Sequence, residues 1–225
     1  MLSYTGLLCF LSAGMAEATT TFNLSTGTAT YNITSDSITQ APDSSYTGTA
    51  IVITSLPASP FTHIASVTDG TDTSSTWVGP AAAQASEGAT VSGTVVYTVS
   101  FNLTGFNPAT ASLIMNVAAD DFISTIVLNS TTIFTASGTQ ISGSMWAAGT
   151  SIGPITSGFL AGSNLITFTV DNSTGDGSTS CCGPTGLIAA VDVTATSSVP
   201  EPSTLGATGL GLAGLATLLR RRLTR

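Results

Sequence analysis

The chain has 225 residues, with four Lys+Arg and twelve Asp+Glu, and its formal net charge is −8. All four cationic residues are arginines between positions 220 and 225, whereas ten of the acidic residues lie between Thr19 and Ser198. Nucleic-acid binding and phosphoryl transfer both depend on Lys or Arg side chains against phosphate. The composition therefore excludes a nucleic-acid partner and argues against phosphoryl-transfer chemistry.

The N-terminus has the pattern of a secretory leader. An apolar core runs from Gly6 to Leu11, and Ala16-Glu17-Ala18 supplies the small residues that a signal peptidase requires. We expect export by the Sec route and cleavage after Ala18, so that residues 1–18 are a signal peptide. Met1–Thr5 hold no Lys or Arg, which leaves the α-amino group or an upstream start as the source of positive charge.

Residues 19–198 have the size of one all-β domain and are rich in Thr, Ser, Val and Ile. Val95, Tyr97, Val99, Phe101 and Leu103 alternate with polar residues, which predicts one face of a half-buried strand. The same period recurs at 113–117 and 166–170. Further strands are predicted at 22–24, 28–34, 49–54, 64–67, 123–128, 131–135 and 187–194. Many short strands separated by Gly, Pro and Asn turns predict a jelly roll or β-sandwich.

The C-terminal residues 199–225 follow a three-part order. Val199-Pro200-Glu201-Pro202 is extended, because each proline fixes its own φ and restricts the residue before it. An uncharged apolar run from Leu205 to Leu219 predicts a single transmembrane helix. It is about 22 Å long at about 1.5 Å per residue, which is marginal against about 30 Å of hydrocarbon. A basic stop follows, which places the C-terminus in the cytoplasm; it consists of Arg220, Arg221, Arg222 and Arg225.

This three-part pattern resembles the PEP-CTERM sorting signal of Gram-negative bacteria, with Pro200-Glu201-Pro202 as the motif. The resemblance implies recognition by an exosortase, a membrane-embedded protease-transpeptidase, and an association with exopolysaccharide and biofilm. It implies transient anchorage in the inner membrane, followed by release or attachment at the cell surface. An ordinary tail anchor with a chance Pro-Glu-Pro is the alternative.

From Trp77 to Thr194 the body resembles the galactose-binding-domain-like β-sandwich. The resemblance rests on Ala118-Ala119-Asp120-Asp121 at a strand end, an Asn129-Ser130 hairpin, and a strand that opens with Gly162-Ser163-Asn164-Leu165. The hairpin departs from the Asn-Gly that such modules commonly have. The resemblance implies a jelly-roll fold and an ancillary carbohydrate-binding role.

Two tryptophans are candidates for a sugar-binding platform. A flat apolar ring with polar atoms at its rim suits the face of a pyranose, and Trp146 lies among small residues that favour its exposure. Trp77 is the second candidate. The alternative for either residue is burial in the core.

The acidic residues are candidates for a calcium site. Ca²⁺ takes six to eight oxygen ligands, and loops of extracellular β-sandwiches supply them. The candidate ligands are Asp120, Asp121, Asp171 and Asp176. A solvated acidic turn is the alternative, and no other cofactor is predicted.

Cys181 and Cys182 are adjacent, and zinc would need more ligands than this pair offers. An oxidising compartment favours disulfides, but neighbouring cysteines can bond only in a strained ring. A vicinal disulfide, intermolecular crosslinks and free thiols are the three alternatives, with the vicinal disulfide favoured.

Catalytic signatures are weak. His63 is the only histidine, and the sequence has no Gly-x-Ser-x-Gly elbow. Asp120 and Asp121 are neighbours and would point to opposite faces of a strand. We therefore expect a non-catalytic surface or extracellular-matrix protein that binds carbohydrate such as exopolysaccharide. A structural or adhesive protein without sugar binding is the alternative, and a carboxylate-dependent glycan hydrolase is the least favoured.

Overall fold

The computed structural model describes residues 17–38, 46–54, 75–80, 93–120, 122–136, 149–172, 185–198, 209–216 and 219–220. Twelve β-strands, one 3-10 turn at Pro108–Thr110 and a helical segment at 209–216 lie within these residues. The strands are β1 (Thr19–Asn23), β2 (Asn32–Asp36), β3 (Gly48–Thr49), β4 (Ile51–Val52), β5 (Val78–Gly79), β6 (Gly93–Asn102), β7 (Ser112–Asp120), β8 (Phe122–Leu128), β9 (Thr131–Thr135), β10 (Thr150–Ile155), β11 (Ser163–Asn172) and β12 (Gly186–Thr196).

The strands form two antiparallel sheets. Sheet I has the order β10-β7-β12-β5-β4, and β1 also pairs with β12. Sheet II has the order β3-β2-β6-β11-β8-β9. The longest ladder joins β6 to β11, from Gly93 opposite Asn172 to Asn102 opposite Ser163.

Side chains from both sheets meet in one apolar core. Sheet I contributes chiefly Leu113, Met115, Val117, Val191 and Val193, and sheet II contributes chiefly Val95, Tyr97, Ile126, Ile166 and Phe168. Because one continuous cluster draws on both inner faces, the two sheets form a β-sandwich. The predicted all-β sandwich class is confirmed.

The alternation that the sequence shows in β6 is confirmed, since Val95, Tyr97 and Val99 are buried. In contrast, β12 is buried from Gly186 to Val193 without alternation. Its outward residues Ile188 and Ala190 pack in a second cluster with Ile53, Trp77 and Ala118. A strand that is covered on both faces loses the period of two.

Several strand boundaries differ from the prediction. The predicted strand 28–34 begins only at Asn32, because the amides of Thr28 and Ala29 close a turn onto the carbonyl of Ser25. The sequence did not predict β5 or β10, and β10 contains Gly153 and Pro154, which are typical of loops. The predicted strand 64–67 lies outside the described residues.

One end of the sandwich holds both ends of the domain. Thr19 pairs with Thr196, and the amide of Ser197 donates to the carbonyl of Ala18 at 2.8 Å. The same end includes the turn 103–106, the hairpin turn 129–130 and the loop 156–162, because β6 ends and β11 begins there. We call it the terminal end. The opposite, distal end is where β6 begins and where β7 and β11 finish.

We expect Phe168→Ala to destabilise the domain by about 3–5 kcal/mol, because it opens a cavity in the centre of the core. The Phe168 side chain is fully buried, and its ring centroid lies 6.0 Å from that of Tyr31. Leu165→Ala on the same strand is the control, since Leu165 is 41% exposed. Urea unfolding of both variants measures the difference, and equal losses would contradict the assigned faces of β11.

Candidate functional site

The structure buries one of the two tryptophans proposed as sugar platforms. Trp77 is 3% exposed and packs with Ile53, Ala118 and Ile188 over the outer face of sheet I. Its indole therefore stabilises the fold, and it offers no open ring face to a pyranose. Trp146 lies outside the described residues.

The candidate calcium ligands do not converge in the part of the chain that the structure describes. Alternation along β7 places Asp120 with Ala118 on the outer side of sheet I, where Asp120 is 3% exposed. Alternation along β11 places Asp171 on the outer side of sheet II, opposite the inward Val170. The core thus separates these two carboxylates. Asp121 and Asp176 are not among the described residues, and no group of three metal-ligating side chains occurs among those that are.

Asp36 is a carboxylate with a structural role that the sequence did not reveal. Its Oδ1 accepts from the amide of Ile38 at 2.9 Å, and its Oδ2 accepts from the amide of Tyr46 at 3.2 Å. Burial raises the pKa of Asp36 above its ordinary value, and the two hydrogen bonds partly oppose this rise. The side chain thus joins the end of β2 to the residues that precede β3.

The outer face of sheet II is rich in hydroxyl groups. Across neighbouring strands, Thr167 lies between Thr98 and Val127, and Thr169 lies between Thr125 and Val96. Thr94, Ser100 and Thr132 extend the face on β6 and β9. The acidic Asp171 stands at its distal edge. This face can offer many hydroxyl donors and acceptors on a broad, nearly uncharged surface.

Asn129 and Asn164 form a hydrogen-bonded pair at the terminal end. Nδ2 of Asn129 donates to Oδ1 of Asn164 at 2.9 Å and to the carbonyl of Gly158 at 2.7 Å. Asn164 also binds both backbone groups of Leu160, at 2.8 and 2.9 Å, and the carbonyl of Gly162 at 2.8 Å. Asn129 has a φ of 55°, which asparagine tolerates better than most residues. The pair thereby fixes the loop 156–162.

The sequence indicated both asparagines but did not predict that their side chains form a pair. The Asn129-Ser130 hairpin and the Asn164 strand entry were both predicted, but as separate features of a family resemblance. Their side chains meet only because β8 and β11 pair, with the amide of Asn129 donating to the carbonyl of Leu165 at 2.8 Å. The fixed loop leaves Leu160 53% exposed.

The sorting segment is described only in its helical part. Residues 209–216 are helical and exposed, and the most exposed apolar side chain is Leu210 at 77%. Arg220 of the basic stop is also helical and exposed. Among the described residues, no helix combines the length and apolar character needed to cross a bilayer. The other predicted site residues lie outside the described ranges: Val199, Pro200, Glu201, Pro202, Arg221, Arg222, Arg225, Cys181, Cys182 and His63.

Comparison with known proteins defines the C-terminal segment. The family model of the PEP-CTERM protein-sorting motif matches residues 198–222. The motif implies an exported protein of a Gram-negative bacterium, sorted at the membrane, with an exosortase as its processing partner. The chain thus carries a PEP-CTERM sorting motif after its β-sandwich. No curated protein and no solved structure matches the chain, so the galactose-binding-like body stays an expectation.

We expect Asn164→Ala to destabilise the domain by about 2–4 kcal/mol, because it leaves several polar groups near a buried position without partners. Asn164 is 1% exposed. Asn102→Ala is the matched control, since Asn102 is exposed and its Oδ1 accepts one bond, from the amide of Thr104 at 2.7 Å. Urea unfolding and hydrogen exchange at the Leu160 amide measure the effect. A loss of stability no larger than that of the control would contradict the role of Asn164 in fixing the loop 156–162.

Proposed function

We propose that the chain is an exported, non-catalytic protein of the cell surface or extracellular matrix. Residues 1–18 act as a Sec leader, and the segment 199–225 holds the chain in the inner membrane until an exosortase processes it. The β-sandwich of residues 19–198 is then released or attached at the surface. The matched sorting motif supports this order of events.

The observation that carries the proposal is the position of the domain's two ends. The described strands begin at Thr19 and finish at Thr196, and these two residues pair with each other. Removal of the leader and of the sorting segment therefore breaks none of these strand pairings. The folded domain lies between the two proposed processing sites, so it can lose both flanking segments and keep all of its described strands.

Carbohydrate is the ligand we propose for the body, on the hydroxyl-rich outer face of sheet II. Threonine hydroxyls can exchange hydrogen bonds with sugar hydroxyls, and Thr167 and Thr169 lie near the centre of this face. The anionic body would also bind acidic exopolysaccharide through bridging divalent cations such as Ca²⁺.

An adhesive role without sugar is the second candidate, and one observation favours it. Strand β9 is the last strand of sheet II and carries neither charge nor proline. Uncharged edge strands can pair with a strand of another protein. Contact through β9 would join chains without using the outer face of sheet II.

We expect replacement of Pro200-Glu201-Pro202 by three alanines to prevent exosortase processing, because the motif then loses its fixed extended backbone and its carboxylate. In a Gram-negative host with an exosortase, the variant should stay in the membrane fraction with Arg225 intact. Mass spectrometry of both termini measures the outcome. The double variant Ser203→Ala, Thr204→Ala is the control and should be processed normally. Normal processing of the alanine variant would contradict the proposal.

We expect the double variant Thr167→Val, Thr169→Val to bind exopolysaccharide about tenfold more weakly, since each lost hydroxyl removes about 0.5–1.5 kcal/mol. Valine preserves shape, so folding should be unaffected. Thr21→Val on the exposed β1 is the control. A glycan array read with and without calcium measures binding. Self-association without glycan binding would favour the adhesive role, and release of oligosaccharides from the array would favour the hydrolase.

A further inference from the structure

We propose that the terminal end of the sandwich docks on the phospholipid surface of the bilayer while the chain is anchored. This inference rests on the membrane anchorage in the proposed function and adds an orientation and a contact to it. The loop 156–162, with its exposed Leu160, makes the contact with the lipid surface.

The connection between the domain and the apolar run is short. Ser198 is fixed to the domain, because its amide and its hydroxyl both donate to the carbonyl of Gly105, at 2.9 and 2.8 Å. Only Val199–Thr204 separate Ser198 from the apolar run that begins at Leu205. Six residues span at most about 20 Å when fully extended. The domain therefore cannot move far from the surface in which the run is embedded.

This short connection also imposes an orientation on the domain. The last residues of β12 are held from both sides, since Thr196 pairs with Thr19 and the amide of Thr196 donates to the hydroxyl oxygen of Thr110 at 3.0 Å. The chain thus leaves the domain from a fixed point on the terminal end. Of the two ends of the sandwich, the terminal end is the one that faces the bilayer.

The charged side chains among the described residues are unevenly distributed between the two ends of the sandwich. Asp36, Asp120 and Asp171 lie at the distal end, where β2, β7 and β11 finish. Asp192 is 3% exposed. Apart from Glu17, which belongs to the predicted leader, no described residue at the terminal end is charged. Anionic lipid headgroups repel carboxylates. Docking by the terminal end keeps the described acids away from the lipid, whereas docking by the distal end would bring them against it.

The terminal end carries an exposed apolar side chain on a fixed loop. Leu160 is 53% exposed on a loop that Asn164 holds by both backbone groups of Leu160. An apolar side chain of this kind can enter the boundary between headgroups and acyl chains. A single leucine binds weakly by itself, but the short connection makes the contact intramolecular and raises its effective concentration.

The test uses the anchored chain after removal of the leader, residues 19–225, with Leu160→Trp, reconstituted into vesicles of phosphatidylethanolamine and phosphatidylglycerol. Part of the lipid carries bromine on its acyl chains, which quenches nearby tryptophan fluorescence. The signal of the natural tryptophans, Trp77 and Trp146, is subtracted with the unsubstituted chain. We expect a blue shift and quenching of the new tryptophan.

The matched control is Val52→Trp. Val52 is 43% exposed, but it lies on β4, whose partner β5 pairs with Leu187 towards the distal end. We expect the Leu160→Trp signal to be quenched at least about threefold more than the control, since only the terminal end reaches the lipid. Both positions are exposed, and thermal melts verify that both variants fold. Equal quenching at the two positions would overturn the proposal.

Flotation of the same vesicles separates the two proposals. A chain that fails to float with the lipid lacks the anchor, which overturns both the anchorage and the docking. A chain that floats without quenching at position 160 overturns the docking alone. If chemical crosslinking then joins the terminal ends of two chains, the occupant is a second copy and the lipid proposal is wrong.

Discussion

The pairing of β12 with its neighbours is the constraint on which the rest of the structure depends. β12 forms a nine-pair ladder with β7 on one side, and β1 and β5 pair with it on the other. Its inward residues, such as Val191 and Val193, fill the core, while Ile188 and Ala190 fill the cluster under Trp77. Because β12 is buried on both faces, a shift of one residue would place its core side chains on the wrong face of sheet I.

This strand also lies next to the sorting motif in the chain. β12 is the last strand of the described domain, and β1 at its start is one of the strands that hold it. The pairing of Thr19 with Thr196 can form only when residues 19–196 are all present on the same side of the membrane. The last strand of the described domain lies directly before the segment that matches the sorting motif, which begins at Ser198.

Two surfaces with different chemistry follow from the sandwich. The outer face of sheet II presents hydroxyl groups at the regular spacing of neighbouring strands, with Thr167 and Thr169 near its centre. The terminal end presents a fixed loop with one exposed leucine, and Asn129 and Asn164 hold that loop in place. In the proposed anchored state, the outer face of sheet II stays open to solutes, while the terminal end faces the bilayer.

The sequence by itself determined the features that depend on residues close together in the chain. The sorting motif follows from two prolines, an apolar run and an arginine cluster, and the face of β6 follows from the alternation that begins at Val95. Only the tertiary structure decided that Trp77 is buried, that Asp120 and Asp171 lie on opposite sides of the core, and that Asn129 meets Asn164. Each of these depends on which strands pair across long separations, and local propensity carries no information about that pairing.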